Sequence, residues 1–187
     1  LLAKNEIGYR NLVRLSSIGF TEGHYYKPRV DKEVLKTWNE GLVALSGCIA
    51  GEIPSLLLKG DYKSARDKAL EYKDIYGPGN FFLEVQSNGI ADQYEVNKGL
   101  VTLSKELNIP LVATNDVHYI LKEDAKIHDV LLCIQTGKTV EDQNRLRFPT
   151  NEFYLKSAEE MKAAFSDIPE AIRNTLVIAE QCNFNFE

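Results

Sequence analysis

The chain has 187 residues, 44% of them hydrophobic and 26% charged, and a formal net charge of −5, which is the balance of an ordinary globular chain long enough for one sizeable core. A sequence pI near 5.4 excludes a broadly basic surface, so contact with nucleic acid has to be local or supplied by neighbours. Three cysteines without CxxC spacing exclude a disulfide framework and a zinc knuckle and fit a reducing cytoplasm, while the longest apolar runs fall far short of the ~20 residues of a membrane helix.

Taken in chain order, the text opens on Leu1-Leu2-Ala3-Lys4, and its only methionine is Met161, as expected of a piece of a longer polypeptide. Asn5 is placed to cap a helix over 6–17, in which Ile7, Leu12, Val13 and Leu15 recur at roughly helical spacing. An irregular stretch, "GFTEGHYYKPRV", leads to Asp31, which opens a short helix carrying Val34, Leu35 and Trp38. Three strand-then-helix units follow. "LVALS" (42–46) precedes an amphipathic helix over 61–77, and "FFLEVQ" (81–86) precedes a helix over 92–107 with Val96, Leu100, Leu103 and Leu107 inward. "IPLVAT" (109–114) precedes a helix over 123–136 with Ile127, Val130, Leu131 and Ile134 inward. Such repeats call for right-handed βαβ units, parallel strands and outer helices in one α/β domain. In the tail, "FYLK" reads as a short strand, Ser157 to Glu160 has capping-box spacing, and Pro169 fits the first turn of a last helix carrying Ile172, Leu176 and Ala179. The loop around 138–152 is the stretch most expected to be exposed and mobile.

In parallel α/β folds the loops after the strands converge on one face, and functional groups collect there. The three strands are followed by Gly47-Cys48, Ser87-Asn88-Gly89 and Asn115-Asp116-Val117-His118. If the backbone stays extended to 118, Asp116 and His118 share a face and can meet one metal ion. Zinc, manganese and iron accept this pair, and a thiolate from Cys48 would favour zinc. A hydrogen-bonded pair stapling a loop is the other reading of Asp116 and His118, and a buried packing role the other reading of Cys48. Cys133 and Cys182 fall on helix interiors, and His24 and His128 read as packed or surface residues. "TGKT" at 136–139 is no phosphate loop, because Leu132 stands where a glycine is required. Lys138, Arg145 and Arg147 form a small basic cluster, either a solvated loop or a contact for phosphate or DNA.

In this order and spacing, "LLAKNEIGYRNLVRLSS", "YYKPRVD", "LSGCIAGEIP", "FFLEVQSNG", "VATNDVHYI", "HDVLLCIQTGKT" and "FYLKSAEEMKAAF" with "DIPEAIRNTLVIAEQCN" resemble one family, the polymerase-and-histidinol-phosphatase (PHP) domain of bacterial DNA polymerase III alpha subunits. The resemblance implies a partial (β/α)7 TIM-like barrel, with 1–187 as its C-terminal two-thirds ending at the boundary with the polymerase palm. It implies a metal cluster at the strand ends, zinc or manganese, with Cys48, Asp116 and His118 as ligands. The family's histidine after the "LE-Q" strand falls on Asn88, a poor ligand, and its remaining ligands fall before Leu1. The parent would be a DNA-directed DNA polymerase, a nucleotidyltransferase with magnesium at a palm site outside this chain, and the segment alone could not extend DNA. Its partners would be DNA, the palm of the same chain, a proofreading exonuclease subunit and other replisome subunits, in the bacterial cytoplasm and with no membrane. Three roles follow for the module. It is a scaffold with a depleted metal site, an active metal-dependent 3′–5′ exonuclease, or, against the polymerase-like tail, a stand-alone phosphoesterase.

Overall fold

The computed structural model describes residues 1–185. Helix α1 (Glu6–Thr21) starts where Asn5 accepts the Gly8 N–H at 3.0 Å, and α2 (Lys32–Thr37) starts where Asp31 accepts the Val34 N–H at 2.9 Å. Both caps satisfy amide donors that a helix cannot pair internally. Helix α3 (Glu52–Leu58) is a short element that the flanking Gly51 and Gly60 and its own Pro54 disguise as loop. Pro54 lies in the first turn, where a missing N–H costs nothing. Helix α4 (Tyr62–Tyr76) is capped by Asp61, and α5 (Ala91–Leu107) ends at Asn108 in the left-handed region.

The four strands are β1 (Leu2–Ala3), β2 (Leu42–Leu45), β3 (Phe81–Gln86) and β4 (Leu111–Thr114), hydrogen-bonded in that order. β2, β3 and β4 are parallel, as the strand-helix alternation predicts, whereas β1 runs antiparallel to β2. β4 starts two residues later than its apolar run, yet Pro110 still contributes, its carbonyl accepting the Leu83 N–H at 2.9 Å. The turn into β2 lies against α1 so closely that a Cβ on Gly8 would sit 1.9 Å from the Gly41 carbonyl oxygen.

Alternation along the strands divides the core in two. Phe81, Leu83, Val85, Leu111 and Ala113 face α3 to α5, where they pack with Ile53, Ala65, Ala69, Val96, Leu100 and Leu103. On the opposite face Val43, Phe82 and Val112 pack with Ile178 and Cys182. Ile178 belongs to the last helix, α8 (Pro169–Gln181), which lies along β4 and gives the Asn174 amide to the Leu111 carbonyl at 2.7 Å.

Two expectations from periodicity fail. In α6 (Ala125–Thr136), which follows a single tight turn over Lys122–Asp124, the buried residues are Leu132 and Cys133. Ile127, Val130, Leu131 and Ile134 lie outward, 61%, 45%, 57% and 71% exposed. The helix is rolled so that Asp129, on its opposite side, meets Arg145. "FYLK" forms no strand. Tyr154 makes one parallel bridge to Tyr119, beyond the end of β4, so this segment pairs with a loop and not with the sheet. The capping box is present, with Ser157 and Glu160 bonding reciprocally at the start of α7 (Ala158–Ala164).

Candidate site at the carboxyl ends of the strands

The face of the sheet that carries Phe82 turns polar toward the strand ends. Register places Glu84 beside Val112 and Gln86 beside Thr114. The Glu84 carboxylate accepts the Gly47 N–H at 3.1 Å, the Gln86 side-chain amide at 3.3 Å and the Thr114 hydroxyl. Its backbone N–H donates to Ser46 Oγ at 2.8 Å. One carboxylate thus ties together the ends of three strands, and all three donors point at a charged acceptor, the stronger class of hydrogen bond. The period-two pattern of "FFLEVQ" already sets Phe82, Glu84 and Gln86 on one face, and a carboxylate inside an apolar strand was the available signal for this network.

Asn88 follows β3 and is only 2% exposed. Its backbone carbonyl accepts the Thr150 hydroxyl at 2.6 Å, while its side-chain oxygen is buried without a partner among the described residues. Gly89 has φ +72°, and a Cβ there would press on Thr150 at 3.3 Å, so the strap over 150–154 closes directly on this turn.

Past β4, Asp116 takes a left-handed conformation with φ +56°. The extended path assumed for the Asp-x-His pair therefore ends at Thr114. Asp116 and His118 still face one another, but His118 Nδ1 lies 2.8 Å from the Asp116 backbone carbonyl and 3.9 Å from its carboxylate. A ring nitrogen facing a carbonyl carries the proton, so the neutral ring keeps its lone pair on Nε2. The His118 N–H donates to the Phe153 carbonyl at 2.8 Å, and its ring packs against Phe148 and Phe153 with centroids 4.6 and 5.5 Å away.

Cys48 is a half-buried free thiol at the end of β2. Among the described residues no three histidine, cysteine, aspartate or glutamate side chains come together to hold a metal ion. Cys48, Asp116 and His118 occupy strand-end loops without forming a three-ligand group, so a complete metal centre does not fit the residues of this chain alone. Cys133 is buried as expected, and Cys182 is half-buried.

The three cations of the loop separate. Arg145 pairs with both carboxylate oxygens of Asp129, Nη2 to Oδ2 at 2.8 Å, and its side chain is 8% exposed. The Arg145 hydrogen bonds hold the Asp129 carboxyl below its ordinary range. Arg147 lies on the wall of a cleft of about 700 Å³ between α6 and 145–151, with Tyr119, Lys126, His128 and Phe148. Burial, and then the nearby His118, push the His128 imidazole down, with Asp129 opposing. Lys138, just past the helix end at Gly137, is exposed and outside the cleft lining.

The family model for the PHP domain matches residues 1–88. That match covers just under half of the chain. The matched part ends at Asn88, so it takes in Cys48 and Glu84 but not Asp116 or His118. Similarity to longer proteins extends further. The chain is 50% identical over 183 residues to DNA polymerase III subunit alpha of Borreliella burgdorferi, and 51% identical over 183 residues to that of Treponema pallidum. Each alignment covers 98% of this chain and 16% of the relative. The Thermus aquaticus subunit is 44% identical over 186 residues, again across 98% of the chain and 15% of the relative. The chain thus matches the PHP region of these alpha subunits and spans about a sixth of their length.

Proposed function

We propose that the chain is the C-terminal two-thirds of the PHP module of a replicative DNA polymerase III alpha subunit, an arc of a (β/α)7 barrel that serves as a scaffold around a depleted metal site. Asn88 carries this reading. It stands where the resemblance calls for an imidazole ligand, and it is buried under Thr150 with a carboxamide in place of a ring nitrogen. Neutral amides bind transition metals far less well than imidazole, so a multinuclear site loses an ion there. Glu84, the nearest carboxylate in the sheet, is committed to Gly47, Gln86 and Thr114. DNA synthesis, with magnesium, belongs to a palm elsewhere in the parent. The module's partners are that palm, a proofreading exonuclease subunit, other replisome subunits and, through the parent, DNA, acting in the bacterial cytoplasm. No helix among the described residues is long and apolar enough to cross a membrane.

The test is metal analysis of the full-length protein together with a 3′ exonuclease assay. Less than a full complement of tightly held ions and no zinc- or manganese-dependent degradation are expected. A full cluster with metal-dependent cleavage would overturn the scaffold reading.

One observation favours an active exonuclease site instead. The Asp116 carbonyl engages His118 Nδ1, the kind of second hydrogen bond that orients an imidazole to ligate through its other nitrogen. Loss of exonuclease activity in Asp116→Ala with unchanged fold and polymerase rate would support this reading.

A further inference from the structure

The cleft between α6 and the 145–151 loop is a basic recess on an acidic chain. Its charges sort by geometry. Arg145 and Asp129 form a bidentate pair and neutralise one another. That leaves Lys126 and Arg147, both exposed, both on the cleft wall, and neither in an ion pair among the described residues. Tyr119 adds a hydroxyl. Tyr119 is 8% exposed, its oxygen accepts the Phe153 N–H at 3.3 Å, and its own proton goes to no acceptor among the described residues. Two cations outside any ion pair, one from each side of the cleft, with a buried hydroxyl proton that meets no acceptor among the described residues, are what an oxyanion with several acceptor oxygens requires. The volume, about 700 Å³, is in the range of small-molecule sites and exceeds what a bare ion fills.

We propose that this cleft binds a phosphate group, with Lys126 and Arg147 supplying charge, Tyr119 a hydrogen bond, and the Arg145–Asp129 pair a fixed wall. The cleft adjoins His118, whose ring packs on Phe148 of its lining at 4.6 Å and lies 5.8 Å from His128, but its cations need no metal, so the proposal stands whether or not the scaffold reading does. The phosphate belongs either to a free phosphate ester or to a nucleic-acid backbone. Lys138, placed in the same loop by sequence, takes no part.

Lysine acylation of the full-length protein, read peptide by peptide by mass spectrometry, reports on this cleft alone. Inorganic phosphate, thymidine 5′-monophosphate and a thymidine oligonucleotide are the probes. Lys126 is expected to be protected several-fold while Lys138 is unchanged, and Arg147→Gln should raise the probe concentration for half-protection about tenfold, the usual worth of a hydrogen bond to a charged group. Tyr119→Phe should weaken protection by a smaller factor with the ring kept in place. Protection by the oligonucleotide alone assigns the phosphate to a nucleic-acid backbone, and equal protection by the mononucleotide assigns it to a free ester. Lys126 labelling that no probe changes, or protection that survives intact in Arg147→Gln, overturns the proposal.

Discussion

Removing the Glu84 carboxylate tests whether one side chain holds the strand ends together. Glu84→Ala strands three donors, the Gly47 N–H, the Thr114 hydroxyl and the Gln86 amide. A hydrogen bond to a charged acceptor contributes about 1.5–3 kcal/mol. The full sum does not apply, because Gln86 keeps Thr114 Oγ1 at 3.2 Å and Gly47 and Thr114 are only half-buried, so water replaces part of the loss. The expected cost is about 3 kcal/mol. For a chain of this size each kcal/mol moves Tm by about 2–4 °C, so the variant should melt about 6–12 °C lower. Glu84→Gln keeps the shape and one acceptor oxygen and should lose about half as much. Glu95→Ala, which removes only an exposed pair with Lys98, is the control and should shift stability by no more than about 0.5 kcal/mol. Thermal unfolding followed by circular dichroism at neutral pH measures all three. An Ala variant melting with the control would refute the network as a stabilising element.

Asn88→His places an imidazole after β3. It should raise zinc or manganese retention in the full-length protein, measured by elemental analysis after dialysis, at a packing cost of about 1–3 kcal/mol because the site is 2% exposed. Unchanged metal content would count against Asn88 as the cause of a depleted site. At Asp116, φ +56° favours glycine, so Asp116→Gly should be more stable to urea than Asp116→Ala by about 1 kcal/mol; equal stabilities would show that the backbone is not under strain there. Acid should loosen the segment 145–155, which includes the strap, before the sheet. Hydrogen bonding to Arg145 lowers the Asp129 pKa, to Lys122 that of Glu152, and to Tyr154 that of Glu160. Groups with depressed folded pKa values stabilise fully above the ordinary carboxylate range and lose that contribution as pH falls below about 4 through the folded values. Exchange of the His118 and Leu155 amides, which donate to Phe153 and Tyr119, should accelerate there first, and simultaneous exchange of strand and strap amides would contradict this.

Periodicity identifies which residues share a face; only a neighbour decides whether that face is buried. In α5 the two agree, and Val96, Leu100, Leu103 and Leu107 are all buried, because the sheet lies on that side. In α6 the stripe of Ile127, Val130, Leu131 and Ile134 is equally regular and lies outward, because the Arg145–Asp129 pair and buried Cys133 fix the helix roll from the other side. The same limit governs α8, where Ile178 is buried against Phe82 while Leu176 is 66% exposed.

The candidate site divides along similar lines. Strand ends were legible, since parallel strands must deliver Gly47, Asn88 and Asn115 to one side of the sheet. Geometry beyond the ends was not, because one left-handed residue, Asp116, cancels the alternation on which the Asp-x-His reading depends. Aspartate is among the few non-glycine residues that tolerate that conformation, so its presence in "TNDVH" is as consistent with a turn as with a ligand. The bond from His118 Nδ1 to the Asp116 carbonyl joins the two readings. The turn is what aims the backbone oxygen at the ring, and the ring so held keeps its second nitrogen free to act as an acceptor. Backbone conformation at Asp116, more than the charge of its carboxylate 3.9 Å away, therefore sets how the His118 ring is held.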